Sequence, residues 1–382
     1  MKMTTYAQSL HDLSVLKEAG LDEVILAHES LSRFGKLSTP EILKLVARAK
    51  ELHLQVYLEW DILMTQNVFE SALPVVLELL PSIDGIRVQD PGALHWVIEN
   101  LDTKIHFIAE NGNHNITALE TWISLSKGKL ERIVLSLELS KSTIEDYVKR
   151  LSVPCELLGF GRILLFYTPR ALLSPLAPEK IAQNSELVAL GESEESPHKG
   201  FPIVENRHGT FMFHIKEFCL IEFAQELKEF GLKYLRVDLR WTDFSYLLRL
   251  SQLIQVFNSE EFDHFKQEYP QDLMRGFYLV NKTDVLFPKL KNGRLQKREG
   301  NYLGEVMEAE KGSHLAIMVK NSRGIKKSDK LSILHPEGKT FEVSIHSLKN
   351  SALEEVEEIP QNKLAVIQFV GGVWVKSQVF LS

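Results

Sequence analysis

Cysteine is scarce. Only Cys155 and Cys219 occur among 382 residues. One disulfide is geometrically possible, but a disulfide framework is not. A reduced, cytoplasmic address is the simpler expectation, with both thiols acting as small buried apolar groups. Nor do two thiolates suffice for an iron–sulfur cluster, which normally takes four, so no such cofactor is expected. Long apolar runs are missing too. The most apolar stretch, GRILLFYT, is broken by Arg162, Pro169 and Arg170 and falls short of the ~20 residues that cross a bilayer. The opening MKMTTYAQSLHDL has no apolar core of a secretory signal, and no membrane partner is expected. The glycine-rich phosphate cradles GxGxxG and GxxxxGK[ST] are absent. Ser136 and Ser174 lack a GxSxG elbow. His106, His114, His208 and His214 show no metal-ligand spacing, so no metal is expected.

What remains is an ordinary globular composition, 44% hydrophobic and 25% charged, which excludes a disordered, collagen-like or coiled-coil chain. The net charge of -7 is unevenly spread. Residues 1–285 carry 29 basic and 40 acidic side chains, whereas residues 286–382 carry 15 and 11. The split suggests two bodies with different partners and excludes a uniformly basic nucleic-acid coat.

In the first body short apolar runs alternate with amphipathic stretches. EVILA (23–27), LQVYLEW (54–60), GIRVQD (85–90), KIHFIAE (104–110), RIVLSLE (132–138) and PCELLGFG (154–161) read as strands buried on both faces. Thr39-Pro40-Glu41 opens a helix that sets Ile42, Leu45, Val46 and Ala49 on one side. FPIVEN and TFMFHI read as a hairpin, 215–230 as a helix containing Cys219, and KYLRVDLR (233–240) as another strand. The fold class is therefore α/β. Repeated βαβ units without a Gly-rich first turn favour a (β/α) TIM-like barrel over a doubly wound sheet. The polar stretch 186–200 reads as a mobile surface insertion. Near residue 276 helical periodicity gives way to short strands and turns. The expected domains are a barrel over 1–285 and a small all-β barrel module over 286–382.

In such a barrel the chemistry gathers at the C-terminal ends of strands. That rule nominates His28, Glu29, Glu59, Trp60, Asp61, Gln89, Asp90, Glu110, Asn111, Asn113, Glu138, Arg162, Asp238 and Arg240. Converging carboxylates are suited to acid–base work or to holding a divalent metal, although Asp and Glu at such turns also serve as helix caps. In the second body Lys289, Lys291, Arg294, Lys297 and Arg298 crowd within ten residues, and Lys320, Arg323, Lys326, Lys327 and Lys330 form another group. Either group suits the phosphate backbone of a nucleic acid, or simply a solvated face.

Several passages together resemble the collagenase-like peptidase family U-32. They are LKEAGLDEVILA, GIRVQDPGALHWV, RIVLSLELS, GFGRILLFYTPRALLS, RHGTFMFHIKEFCLIEFAQELKEFGLKYLRVDLR, and YLGEVMEAEKGSHLAIMVKN with DKLSILHPEGKTFEV. By this resemblance Asp90, Glu138, Gly161, Arg170, Ser174, Cys219, Asp238 and Arg240 match or conservatively replace family positions. Arg236 stands for the family's Lys and Leu239 for its Gly. The signature's His is Phe160, its two cysteines are Leu164 and Ala171, and a later cysteine pair around 180–200 is absent. In members that hydroxylate RNA bases or a quinone precursor, those cysteines hold an iron–sulfur cluster. GRILLFYTPRA is nearest to the variant in accessory quinone-pathway members.

The resemblance implies a hydrolase of the peptidase type, with a carboxylate-lined barrel mouth and no cluster. Its expected catalytic residues are Glu138, Asp90, Asp238, Arg240 and Arg170, and its expected substrate-binding residues Glu59, Asp61, Glu110, Asn111 and Arg162. The alternative is a non-catalytic or accessory member of the RNA and quinone hydroxylation branch, which binds RNA or a protein partner.

Overall fold

In the first unit, amphipathic helices separate strands that are largely buried. β1 (Lys2–Thr5), β2 (Glu23–Ala27), β3 (Gln55–Trp60), β4 (Gly85–Val88), β5 (Lys104–Ile108), β6 (Leu130–Val134) and β7 (Cys155–Thr168) follow one another in parallel. β1 and β2 meet through a single parallel bridge, Tyr6 to Ile25. An antiparallel extension, β8 (Leu187–Glu192), β9 (Lys199–Asn206) and β10 (Gly209–Cys219), is added to the outer half of β7. β11 (Tyr234–Val237) then pairs with both β7 and β1 and closes a ring of eight parallel strands. The fold is an α/β, TIM-like barrel. The computed structural model describes residues 1–110, 115–176, 186–192, 199–279, 301–336 and 338–382. By contacts the chain divides into two compact units, Met1–Leu286 and Phe287–Ser382.

The helices are α1 (Leu10–Glu18), α2 (Thr39–Glu51), α3 (Gln66–Leu79), α4 (Pro91–Asn100), α5 (Ile116–Leu125), α6 (Lys141–Arg150), α7 (Ala224–Phe230), α8 (Tyr246–Gln255) and α9 (Ser259–Glu268). Their starts follow local chemistry. Ser9 and Asp12 form a reciprocal capping box on α1. On α2, Ile42, Leu45, Val46 and Ala49 are buried against the sheet, as their spacing predicts. Each such aliphatic side chain contributes about 1.5–3 kcal/mol through burial.

Three local readings change. β1 was not read from KMTT, a short and polar-looking run. Its Thr4 and Thr5 are nevertheless fully buried, and Thr5 Oγ1 donates to the Val237 carbonyl at 2.6 Å. The segment 215–219 is strand, not helix. Cys219 is the last residue of β10, opposite Phe160, and the helix begins only at Ala224. Phe218, Cys219, Leu220 and Ile221 are all buried, and an apolar run of that length fits either element by pattern alone. Finally, the stretch read as an insertion supplies β8, while 193–198 lie outside the described residues.

β7 is unusually long. Its first residues pair with β6 and β11, and from Phe160 onward it pairs with β10. The changeover falls at Gly161, whose φ of +148° favours glycine and where a Cβ would sit 3.0 Å from that of Asp238. β12 (Leu273–Met274) adds briefly to β10.

The second unit is a curled antiparallel sheet with its own apolar core. Its strands are β13 (Tyr302–Glu310), β14 (His314–Val319), β15 (Ile325–Lys326), β16 (Lys330–Leu334), β17 (Thr340–Ser344), β18 (Leu348–Lys349), β19 (Glu358–Ile359), β20 (Leu364–Gln368) and β21 (Gln378–Leu381). The spatial order is β17-β16-β21-β13-β14-β20-β18, and β15 and β19 form a separate ribbon. Among the described residues, no helix is long and apolar enough to cross a membrane.

Candidate functional site

The C-terminal ends of the barrel strands surround a cavity of about 210 Å³. Glu59 at the end of β3, Asp61 just after it, Glu110 after β5, Glu138 after β6, Arg162 in β7, and Asp238 and Arg240 after β11 all line it. These are seven of the ten residues nominated for catalysis or substrate binding. Asp90 is elsewhere: it caps α4 by accepting from Ala93 N at 2.9 Å and borders the groove between α3 and α4. Arg170 is on an exposed turn, where its carbonyl accepts from Thr210 Oγ1 at 2.8 Å. Asn111, Lys289, Lys291, Arg294, Lys297 and Arg298 lie outside the described residues.

Sequence reading nominated Arg162 and Arg240 but missed Arg33, Tyr6 and the pairings that tie the arginines to the carboxylates. Arg33, from the loop between β2 and α2, grips Asp61 with both its backbone N and its Nε, each at 2.8 Å. Arg240 makes a fork onto Asp238, Nε to Oδ1 at 3.0 Å and Nη2 to Oδ2 at 2.7 Å, and reaches Glu59 at 3.3 Å. Arg236 pairs with Glu110 and donates to Tyr6 Oη at 3.3 Å. Tyr6, from the end of the unread strand β1, donates to Glu59 Oε2 at 2.5 Å, and its ring lies 3.5 Å under the Arg240 guanidinium. Ser32 donates to the other Glu59 oxygen at 2.8 Å. Phe34, Phe213 and Trp241 form an aromatic wall, with Arg162 5.0 Å above Trp241.

The mouth is therefore a charge-balanced lattice of arginines and carboxylates. Burial would raise the carboxyl pKa of Asp61 and Asp238, but Arg33 and Arg240 respectively outweigh it and hold both below the ordinary range. Glu59 goes the other way: burial, aided by neighbouring Asp61, lifts its carboxyl above the ordinary range. Burial also raises the Tyr6 phenol, so it remains a hydrogen-bond donor at neutral pH.

Below the mouth lies a sealed layer. Arg87 forks onto Glu156 at 2.8 and 2.7 Å, and Arg132 forks onto Glu23 at 2.6 and 2.7 Å and reaches Glu156 at 3.0 Å. His106 stands 3.2 Å from Arg87 Nη1, and burial pushes its pKa down to about 3. Arg236 Nε, 3.7 Å from Glu156, links the two layers.

Nucleophiles are poorly placed. Burial pushes both thiols, Cys155 and Cys219, up to about 12, so both are neutral. Ser174 Oγ is engaged by Glu205, which also accepts from the backbone N of Leu173 at 2.6 Å and of Ser174 at 2.9 Å. In the second unit Arg323 pairs with Asp329, Lys326 with Glu358 and Lys327 with Glu355, at 2.8, 3.6 and 3.3 Å. That basic group is partly neutralised.

The profile of Peptidase family U32 matches residues 8–283, and that of the Peptidase family U32 C-terminal domain matches residues 298–373. The chain belongs to peptidase family U32. Among curated relatives, tRNA hydroxylation protein P2 of Bacillus subtilis (strain 168) is 21% identical over 276 residues, covering 68% of this chain and 88% of the relative. tRNA hydroxylation protein P of Haemophilus influenzae is 21% identical over 237 residues, covering 49% of this chain and half of that relative. A solved structure of a U32 peptidase is 16% identical, with a TM-score of 0.36, covering 42% of this chain and 70% of the other.

Proposed function

We propose that this U32 protein takes part in tRNA modification by binding and positioning RNA rather than by cleaving peptide bonds. One observation carries the reading: every buried carboxylate of the barrel mouth is held by an arginine. A general base for hydrolysis needs a lone pair free to take a proton from water. Asp61 and Asp238 are held ionised in two-point grips, and Glu59 already accepts from Tyr6, Ser32 and Arg240. Neither thiol is activated. The names of the two curated relatives point the same way.

The residues present do not fit a thiolate-held iron–sulfur cluster. At the signature's cysteine positions Leu164 lines the cavity and Ala171 is exposed, and at its His position Phe160 is packed against Phe265 and Tyr269. None of the three side chains can donate to iron, and the two thiols present are buried and protonated. The reading is therefore of an accessory member that holds substrate or a partner, acting in the cytoplasm.

The hydrolase reading keeps one supporting observation, the raised pKa of Glu59 beside the cavity, which suits a general acid. Two measurements separate the readings. Purified protein should bind tRNA with an affinity that falls steeply with salt. tRNA from cells lacking the chain should lose a hydroxylated nucleoside that wild type restores and Arg240→Met does not. Unchanged tRNA nucleosides, together with casein cleavage lost on Glu59→Gln, would establish the hydrolase instead.

A further inference from the structure

Beside the main cavity lies a recess of about 280 Å³. It shares Arg33, Glu138, Leu164 and Leu165 with the cavity, and its other walls include Gln89 and Phe166. Two observations there lack a structural explanation. Gln89 is only 8% exposed, yet its Oε1 is buried with no hydrogen-bond partner among the described residues. Buried side-chain amides are almost always paired. Phe166, in the outer half of β7, is 45% exposed where it borders the recess, although an aromatic ring gains from being covered.

The two features are complementary. A half-turn about the terminal torsion of Gln89, which is broad and roughly two-fold, exchanges its oxygen for its NH₂. The amide therefore offers an acceptor or a donor to whatever fills the recess. A flat ring beside an amide suits a flat ligand with hydrogen-bonding groups on its edge. Unstacked bases of RNA are recognised in this way, by an aromatic face and by polar contacts to the base edge. The recess is also close to the lower end of the size range of small-molecule sites, roughly 300 Å³.

We infer that this recess receives a single nucleobase turned out of its strand, with Phe166 as the stacking face and Gln89 as the reader of the base edge. The inference rests on the tRNA reading above and gives that reading a place for the base. The arginines of the adjoining cavity are committed to carboxylates, so the recess grips the base rather than a phosphate.

The probe is unfractionated tRNA, titrated against the full chain by fluorescence anisotropy and then cross-linked by ultraviolet light for peptide mapping. Phe166→Ala should weaken binding roughly five- to 150-fold, the effect of losing one base stack. Gln89→Leu, similar in size and without the unpaired group, should weaken it with an unchanged melting temperature. The adduct should fall on the peptide holding Leu165–Tyr167. If both variants bind tRNA as tightly as wild type, or the adducts lie only elsewhere, the recess assignment falls while the tRNA reading stands. If the unaltered chain binds no tRNA, both fall. If instead casein cleavage is lost in Gln89→Leu, the recess serves a peptide amide and the assignment is overturned.

Discussion

The barrel holds two layers of arginines and carboxylates, built from similar residues to different ends. In the lower layer Arg87, Arg132, Glu23, Glu156 and His106 are shut off from solvent. In the upper layer the same chemistry, Arg33, Arg236, Arg240, Glu59, Asp61 and Asp238, borders a cavity. A buried charge that loses its partner has nothing to replace it, whereas one beside a cavity can be rehydrated. The lower layer is thus a scaffold, and the upper layer is the candidate site above it.

The strongest test of this contrast is Arg132→Met. It strips Glu23 of its fork and Glu156 of one partner, and should cost about 3–5 kcal/mol in denaturant unfolding. A loss below about 1 kcal/mol would erase the distinction between the layers.

Acid should reach the lower layer next. His106 has a folded pKa of about 3, against about 6.5 unfolded. Between those values the unfolded chain binds the extra proton, so stability falls as pH drops through the window, by about 1.4 kcal/mol per pH unit at most. His106→Gln should flatten that slope in pH-dependent melting curves. Asp61 and Asp238, whose folded pKa values are depressed, contribute stability above about pH 4 and lose it only below that. Their loss is therefore expected in a more acidic window.

In the upper layer Arg240→Met should cost less stability, about 1–2 kcal/mol, while abolishing the effect on tRNA nucleosides. If its stability loss equals that of Arg132→Met, the upper layer is scaffold as well. The smallest effect is expected outside both layers, at the exposed Lys327–Glu355 pair of the second unit. Lys327→Ala should change the melting temperature hardly at all, within about 0.5 kcal/mol.

The parallel strands were legible because burial on both faces leaves a continuous apolar run, as in Val24–Ala27 and Val56–Leu58. β1 was not, since Lys2 to Thr5 carries no such run and Thr4 and Thr5 are buried polar residues inside the ring. That omission also hid Tyr6. The carboxylates of the mouth could be found by position, because strand ends face one way in a barrel. Arg162 and Arg240 could be found in the same way, but Arg33, and the pairs Arg33 with Asp61 and Arg240 with Glu59, could not, because these pairs exist only once distant segments have met. Asp90 looked like its neighbours in the sequence, and only the path of α4 shows it to be a cap.

β7 has one more consequence. A single strand belongs to the closed ring at one end and to the open sheet of β8, β9 and β10 at the other. It is built like a plank clamped along part of its length. The clamped part must keep its register with β6 and β11, or the ring fails. The overhang pairs only with β10, so changes in it leave the register of the ring untouched. Phe166 sits on that overhang and Gln89 on the ring side, so a change at Phe166 would remodel the recess without disturbing the pairing of the ring.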